Sequence, residues 1–280
     1  MRKLLLAIGL NYANSEYALP DCALDAQRMK ALYEDHGYDS SVWTKMTPNQ
    51  FEKIIKEIRD MKLDELVVYY SGHGVQLPKA DSNEDDRYEE ALCLWNGERL
   101  LMLTDHDFAA LVSTAAKRVI VIMDCCHSGG MNRSMVQPGH KRKSLPYNAS
   151  MVKFGIQEEF ATKSKKDVTF LFASVENQVS YSTGDGGAFT NAFLQAVRND
   201  MTKTSEIIDR IRRQVNFQRA NFVGDGEKPV ISNEMTIEER LLKYGKAKIP
   251  NVGEIRTWGW GGKSFASLRT LKSFREKLDS

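Results

Sequence analysis

Four apolar runs constrain this chain more than any other feature: residues 3–9, 66–70, 118–123 and 168–173 are dominated by Leu, Ile, Val, Ala, Phe, Tyr and Met in continuous rather than alternating order. A strand with one wet face alternates, whereas a strand covered on both faces does not, so these runs predict a parallel sheet buried between two layers. The segments between them carry the helical period instead. Residues 21–35 place Cys22, Ala26, Met29 and Leu32/Tyr33 on one stripe, and residues 48–61 repeat it with Phe51, Ile54/Ile55 and Ile58. Residues 104–114 form a shorter helix with Thr104 as its N-cap and Phe108, Leu111 and Val112 facing inward. Further helices are expected over 187–198 and 205–219, and short strands at Val42-Trp43 and over 229–232. Strands alternating with helices predict a three-layer α/β/α sandwich with a mostly parallel central sheet.

Composition narrows the function class. The 280 residues suffice for one large domain, and 39 basic against 37 acidic side chains leave a net charge of +2, so no global field points to nucleic acid or to an anionic membrane. Arg2-Lys3 followed by Leu4 to Leu10 resembles a short secretory leader. The run is at the lower length limit for one, and polar residues follow without a small-residue cleavage site, so it is assigned to the first strand. No window approaches the roughly 18 apolar residues needed to span a bilayer. Four cysteines, two of them adjacent, make no disulfide framework, and no CxxC pair with a second ligand pair suggests zinc. Reduced thiols and a cytoplasmic location are expected.

Two of the strand runs end in reactive side chains. Residues 66–70 lead into Ser71-Gly72-His73-Gly74, and residues 118–123 into Asp124-Cys125-Cys126-His127-Ser128-Gly129-Gly130. Open α/β sheets gather functional groups at the carboxyl ends of strands, so an imidazole and a thiol could meet there without sequence adjacency. A thiolate is a nucleophile, and histidine is the side chain suited to generate it near neutral pH. Flanking glycines let backbone amides approach a substrate carbonyl, and the amides of Gly74 and Cys126 are candidates for an oxyanion hole. Cys125 and Cys126 point to opposite sides, so only one can face His73; His127, next to the thiol, is assigned a structural role.

Ser71-Gly72-His73-Gly74 and Asp124-Cys125-Cys126-His127-Ser128-Gly129 resemble the two signature motifs of metacaspases, cysteine peptidases of the caspase fold. The resemblance extends over roughly residues 3–240 and takes in Leu5 to Asn11, Cys22-Ala23-Leu24-Asp25-Ala26, and Ala173-Ser174 with Gly187-Ala188-Phe189-Thr190. Animal caspases are less similar, because their Gln-Ala-Cys-x-Gly signature is absent. The resemblance implies a peptidase domain over 1–245: a large-subunit-like region over 1–135, a basic linker loop at about 136–166 and a small-subunit-like region over 167–245. Residues 246–280 form an extension centred on Trp258-Gly259-Trp260. It also implies that Cys126 is the nucleophile, that His73 is the base and proton donor, and that Cys22, Asp25, Ser71 and Asp124 line the primary specificity pocket. Physical chemistry favours the same pocket charge. A carboxylate two positions before a reactive thiol would raise the thiol's pKa unless a cation neutralises it, and a substrate Arg or Lys is that cation. The expected function is cleavage of protein or peptide substrates after Arg or Lys.

Two loops carry further expectations. The acidic segment 81–90 and the residues near 105 suggest calcium, an activator of many metacaspases, with Asp85, Asp86, Glu89, Asp105 and Asp107 as candidate ligands; no other cofactor is required. His106 interrupts the paired aspartate of the family pattern. The basic segment 138–146 offers Lys141, Arg142 and Lys143 as sites of autoprocessing by a pocket that prefers cations. The alternative is a catalytically silent caspase-like scaffold acting through a regulatory protein partner. A nucleotide-binding reading fails because residues 7–11 supply one glycine where three are needed.

Overall fold

The computed structural model describes residues 1–78, 88–125, 141–143, 145, 152–154, 167–174, 181–216 and 218–232. In chain order the elements are β1 (Lys3–Gly9), α1 (Cys22–Asp35), β2 (Asp39–Trp43), α2 (Pro48–Asp60), β3 (Leu63–Ser71), β4 (Gly74–Pro78), β5 (Tyr88–Trp95), β6 (Leu100–Thr104), α3 (Asp105–Val112), β7 (Ala116–Asp124), β8 (Lys141–Arg142), β9 (Val152–Phe154), β10 (Asp167–Phe172), β11 (Tyr181–Ser182), α4 (Ala188–Arg198), α5 (Thr204–Gln214) and β12 (Asn221–Val223). Residues 1–230 form one compact unit, and of the second unit only Ile231 and Ser232 are described. The extension 246–280 expected from the sequence therefore lies outside the described residues.

The central sheet has the order β12-β10-β7-β3-β1-β2, and every pairing in it is parallel except that of β12 with β10. The continuous apolar runs account for this arrangement: every residue of β1 is buried, as are Leu66 to Tyr70 of β3 and Val119 to Met123 of β7. From β1 the chain crosses by α1 to β2 at the edge, then returns by α2 past β1 to β3. Right-handed crossovers made in opposite directions put α1 and α2 on opposite faces. α4 packs on α1 and on α5, while α2 packs on α3, with Phe51 and Phe108 stacked at 5.3 Å between ring centroids. The result is the expected three-layer sandwich.

Local chemistry sets the helix boundaries. α2 opens with a full capping box: Gln50 N–H donates to Thr47 Oγ1 at 3.1 Å, and Thr47 N–H donates to Gln50 Oε1 at 2.9 Å, with Pro48 in the first turn. Thr104 caps α3 by accepting from Asp107 N–H at 3.1 Å, as its sequence position predicts. Asp21 precedes α1 without capping it, because its carboxylate is engaged elsewhere.

Three expectations are corrected. Residues 229–232 are not a strand; Pro229 makes only an isolated bridge to Lys203, and the late strand is β12, antiparallel at the sheet edge. The helix expected over 205–219 ends at Gln214, where the chain folds back and Arg212 Nε donates to the carbonyl of Ala220 at 2.8 Å. Glu89 and Glu90 belong to β5 rather than to an acidic loop, opposite Leu77 and Gln76 of β4. That pairing opens a second sheet, β4-β5-β6-β9, whose first strand starts at the residue after His73.

Candidate active site

The two strand ends meet because β3 and β7 are adjacent and in register, which sets Ser71 opposite Asp124. His73 lies two residues beyond Ser71 and is 3% exposed. Its backbone is held on both sides, with His73 N–H donating to Tyr12 Oη at 2.8 Å and Tyr70 Oη donating to the His73 carbonyl at 2.8 Å. Gly72 must be a glycine for this, since an added Cβ would come within 2.6 Å of both tyrosine hydroxyl oxygens.

The imidazole Nε2 lies 2.8 Å from the carbonyl oxygen of Tyr17. A carbonyl only accepts, so Nε2 carries the proton and Nδ1 keeps a free lone pair. Nδ1 is buried and has no hydrogen-bond partner among the described residues. Burial pushes the His73 pKa down to about 4; the Tyr17 carbonyl opposes the shift, and the charges of Lys143 and Lys141 add to it. His73 is thus a neutral imidazole with an unused acceptor, the state a general base requires. Cys126 lies outside the described residues. Its neighbour Cys125 is fully buried.

Beside this histidine sits a wholly buried ionic cluster. Asp25 from α1, Asp124 from the end of β7 and Lys143 are each 0% exposed. Lys143 Nζ lies 3.0 Å from Asp124 Oδ2 and 3.4 Å from Asp25 Oδ2, and donates to Ser71 Oγ at 2.9 Å. Each carboxylate has further donors. Gly187 N–H reaches both Asp25 oxygens, at 3.1 and 2.9 Å, while Thr190 Oγ1 donates to Asp124 Oδ2 at 2.6 Å and is itself bonded to Tyr69 Oη at 2.7 Å. Burial pushes the Asp25 carboxyl up to about 6, with Lys143 opposing and Asp124 adding to the shift. Burial also works against the Lys143 ammonium, but Asp124 and Asp25 outweigh it and raise that pKa well above the usual lysine value. The Cys22 thiol borders the cluster and is pushed up to about 12 by burial, so it is an uncharged wall.

The sequence expected Asp25, Ser71, Asp124 and Cys22 to come together, and the structure brings them together. It separates the three basic linker residues. Lys143 fills the pocket; Lys141 is exposed and donates to the Ala18 carbonyl at 3.1 Å; the Arg142 side chain lies outside the described residues. The linker backbone is bonded as well. Gly74 N–H donates to the Lys143 carbonyl at 3.0 Å, Leu145 N–H donates to the Gly74 carbonyl at 3.0 Å, and β8 pairs antiparallel with β11. The amide expected to bind a substrate carbonyl, Gly74, holds that of Lys143.

Several contributors were not anticipated. An added Cβ on Gly187 would fall on the Asp124 carboxylate and within 2.5 Å of Lys143 Nζ, so the missing side chain leaves the space in which that carboxylate meets the lysine. The buried carboxylate of Asp21 accepts from the N–H groups of Gly184 and Gly186, at 3.1 and 2.8 Å, and from the Ser182 hydroxyl, which pins the turn between β11 and α4. The Tyr17 carbonyl orients His73 and has no side-chain signature to read.

The expected calcium ligands do not form a cage among the described residues, where no group of three or more metal-ligating side chains occurs. Asp85 and Asp86 lie outside the described residues. The Asp105 carboxylate is exposed and accepts from the neighbouring His106 N–H at 2.7 Å; Asp107 is tied into the cap of α3. No helix among the described residues is long and apolar enough to cross a membrane.

A parallel-sheet sandwich with a histidine and an acidic pocket at neighbouring strand ends defines an α/β domain of the caspase fold. Solved structures agree on that fold: a protein from Geobacter sulfurreducens aligns with TM-score 0.64 at 24% identity over 81% of this chain and 94% of that one. Caspase-1 from Spodoptera frugiperda aligns with TM-score 0.54 at 11% identity over 80% and 88%. The caspase domain family of C14 peptidases matches residues 2–250, and the chain belongs to that family. Within it the chain is similar to Metacaspase-6 of Arabidopsis thaliana, at 33% identity over 47% of this chain and 39% of that protein. It is also similar to Metacaspase-1 of Cryptococcus neoformans var. neoformans, at 28% identity over 76% and 46%. The chain spans less than half the length of these curated relatives.

Gly187→Ala should break the contact between Asp124 and Lys143 and loosen the segment that carries Lys143 while leaving the sheet intact. Limited trypsin digestion should then cut after Lys143 about tenfold faster or more than in the parent chain, with an unchanged far-ultraviolet spectrum. An unchanged digestion rate would contradict the assignment of that space.

Proposed function

We propose that the chain is a cysteine endopeptidase that cleaves after Lys or Arg, with Cys126 as nucleophile and His73 as base, and that its own linker occupies the site as the first substrate. One observation carries this reading. Lys143 Nζ lies between Asp25, Asp124 and Ser71 while its carbonyl oxygen takes the Gly74 N–H, so side chain and carbonyl are held together as a substrate's would be.

In the proposed reaction, His73 Nδ1 takes the proton from the Cys126 thiol, and the sulfur attacks the carbonyl carbon of the residue in the acidic pocket. The carbonyl electron pair moves onto oxygen, where the Gly74 N–H stabilises it. On collapse the C–N bond breaks and His73 returns the proton to the leaving amine. Water then hydrolyses the thioester, with His73 again acting as base. The carboxylates of Asp25 and Asp124 select a cation and disfavour an aspartate at that position. While Lys143 remains seated the pocket is closed to other substrates, so a cut after Lys143 would both process the linker and open the site.

A panel of fluorogenic peptides differing only in the residue before the cut tests this directly. Lys and Arg peptides should be hydrolysed, the Asp peptide should not, and Cys126→Ala should abolish all turnover. Asp124→Asn should raise KM for the lysyl peptide roughly tenfold or more, because a buried charge partner is lost. Equal turnover of Asp and Lys peptides, or activity remaining in Cys126→Ala, would overturn the reading.

The pH dependence has a defined sign. As pH falls through about 6 the Asp25 carboxylate takes up a proton and loses its attraction for a cation. KM for the lysyl peptide should therefore rise from about pH 7 to about pH 5. A KM that stays flat over that range would contradict the role of Asp25.

A further inference from the structure

The linker is gripped on both sides of the bond that follows Lys143. The two hydrogen bonds at Gly74, to the Lys143 carbonyl and from the Leu145 N–H, are each 3.0 Å and follow one another as in parallel β-pairing. A chain that sends its lysine into the acidic pocket also presents its second N–H after the cut to the Gly74 carbonyl. Both side chains are in fact buried, Lys143 at 0% and Leu145 at 7% exposure, whereas Lys141, two residues earlier, is exposed. A leucine buried beside a bond that must be released contributes to docking the linker.

From this geometry we infer that the site has a second specificity pocket, on the leaving side of the cut, which takes a leucine-sized aliphatic side chain two residues after the cleaved bond. The inference rests on the proposed cleavage after Lys143. It adds a substrate class: segments with Lys or Arg before the cut and an aliphatic residue at the second position after it. Asp25 and Asp124 select by charge on one side, and the second pocket selects by apolar size on the other. A short peptide that ends in a fluorophore directly after the lysine cannot report this second selection, since it has no residue there.

Internally quenched peptides that span the cut and are identical except at the second residue after lysine, with Leu, Ala or Asp there, test it on the wild-type full chain. Leu should exceed Ala by roughly tenfold or more in kcat/KM, the scale of discrimination by an apolar pocket, with Asp lower still. Moving the leucine one position further on should not restore the rate. If Leu and Ala peptides are both cut after lysine at rates within about twofold, the second pocket is refuted and the endopeptidase reading stands. If none of the peptides is cut after lysine, the endopeptidase reading fails and this inference fails with it.

Discussion

The interaction on which the site depends is the buried contact of one ammonium with two carboxylates. Asp25 and Asp124 are wholly excluded from solvent, and two like charges so placed need a cation between them or must take up protons. Lys143 supplies the cation, and its neighbours supply the rest: Ser71 bonds the ammonium, while Gly187 and Thr190 satisfy the carboxylates. A pocket built this way has a charge requirement before any substrate arrives. Burial pushes the Asp25 carboxyl up while Lys143 opposes the shift, and the carboxylates in turn raise the Lys143 pKa.

Strand register brings part of this cluster next to the histidine. Parallel pairing of β3 with β7 sets Ser71 beside Asp124, and both chains leave the sheet at the same level. Two residues past Ser71 comes His73, and the next residue, Gly74, opens the second sheet while its amide faces the Lys143 carbonyl. The Ser71 hydroxyl, the His73 imidazole and the Gly74 amide thus come from four consecutive residues at the end of a strand that is buried from Glu65 onward. The layer opposite α2 and α3 supplies Asp25, Thr190 and Gly187. Asp21 ties the start of α1 to the turn that carries Gly187, so the two halves of the pocket are held at a fixed separation.

Much of this was legible in the sequence. Continuous apolar runs identify doubly covered strands, and Asp25, Ser71, His73, Gly74 and Asp124 are named by strand ends and by family motifs. The rest is carried by groups that leave no residue-level trace. The Tyr17 carbonyl orients the imidazole, and any residue would offer a carbonyl. Gly187 acts by lacking a side chain, which matters only once Asp124 and Lys143 are known to converge on it from distant stretches of the chain. Lys141, Arg142 and Lys143 look equivalent in a basic loop; the pairing of β8 with β11 and the bonds at Gly74 are what single out Lys143. β5 and β12 went unrecognised because the acidic pair Glu89 and Glu90 and the short segment Asn221–Val223 lack a continuous apolar run.

The most direct test of the account is amino-terminal sequencing of the fragments formed when the purified chain is incubated, alongside Cys126→Ala. The account predicts a single early cut that exposes a new terminus reading Ser144-Leu145-Pro146 and is absent from Cys126→Ala. A first cut after Lys141 or Arg142, or the same cut in Cys126→Ala, would contradict the claim that Lys143 is bound as a substrate.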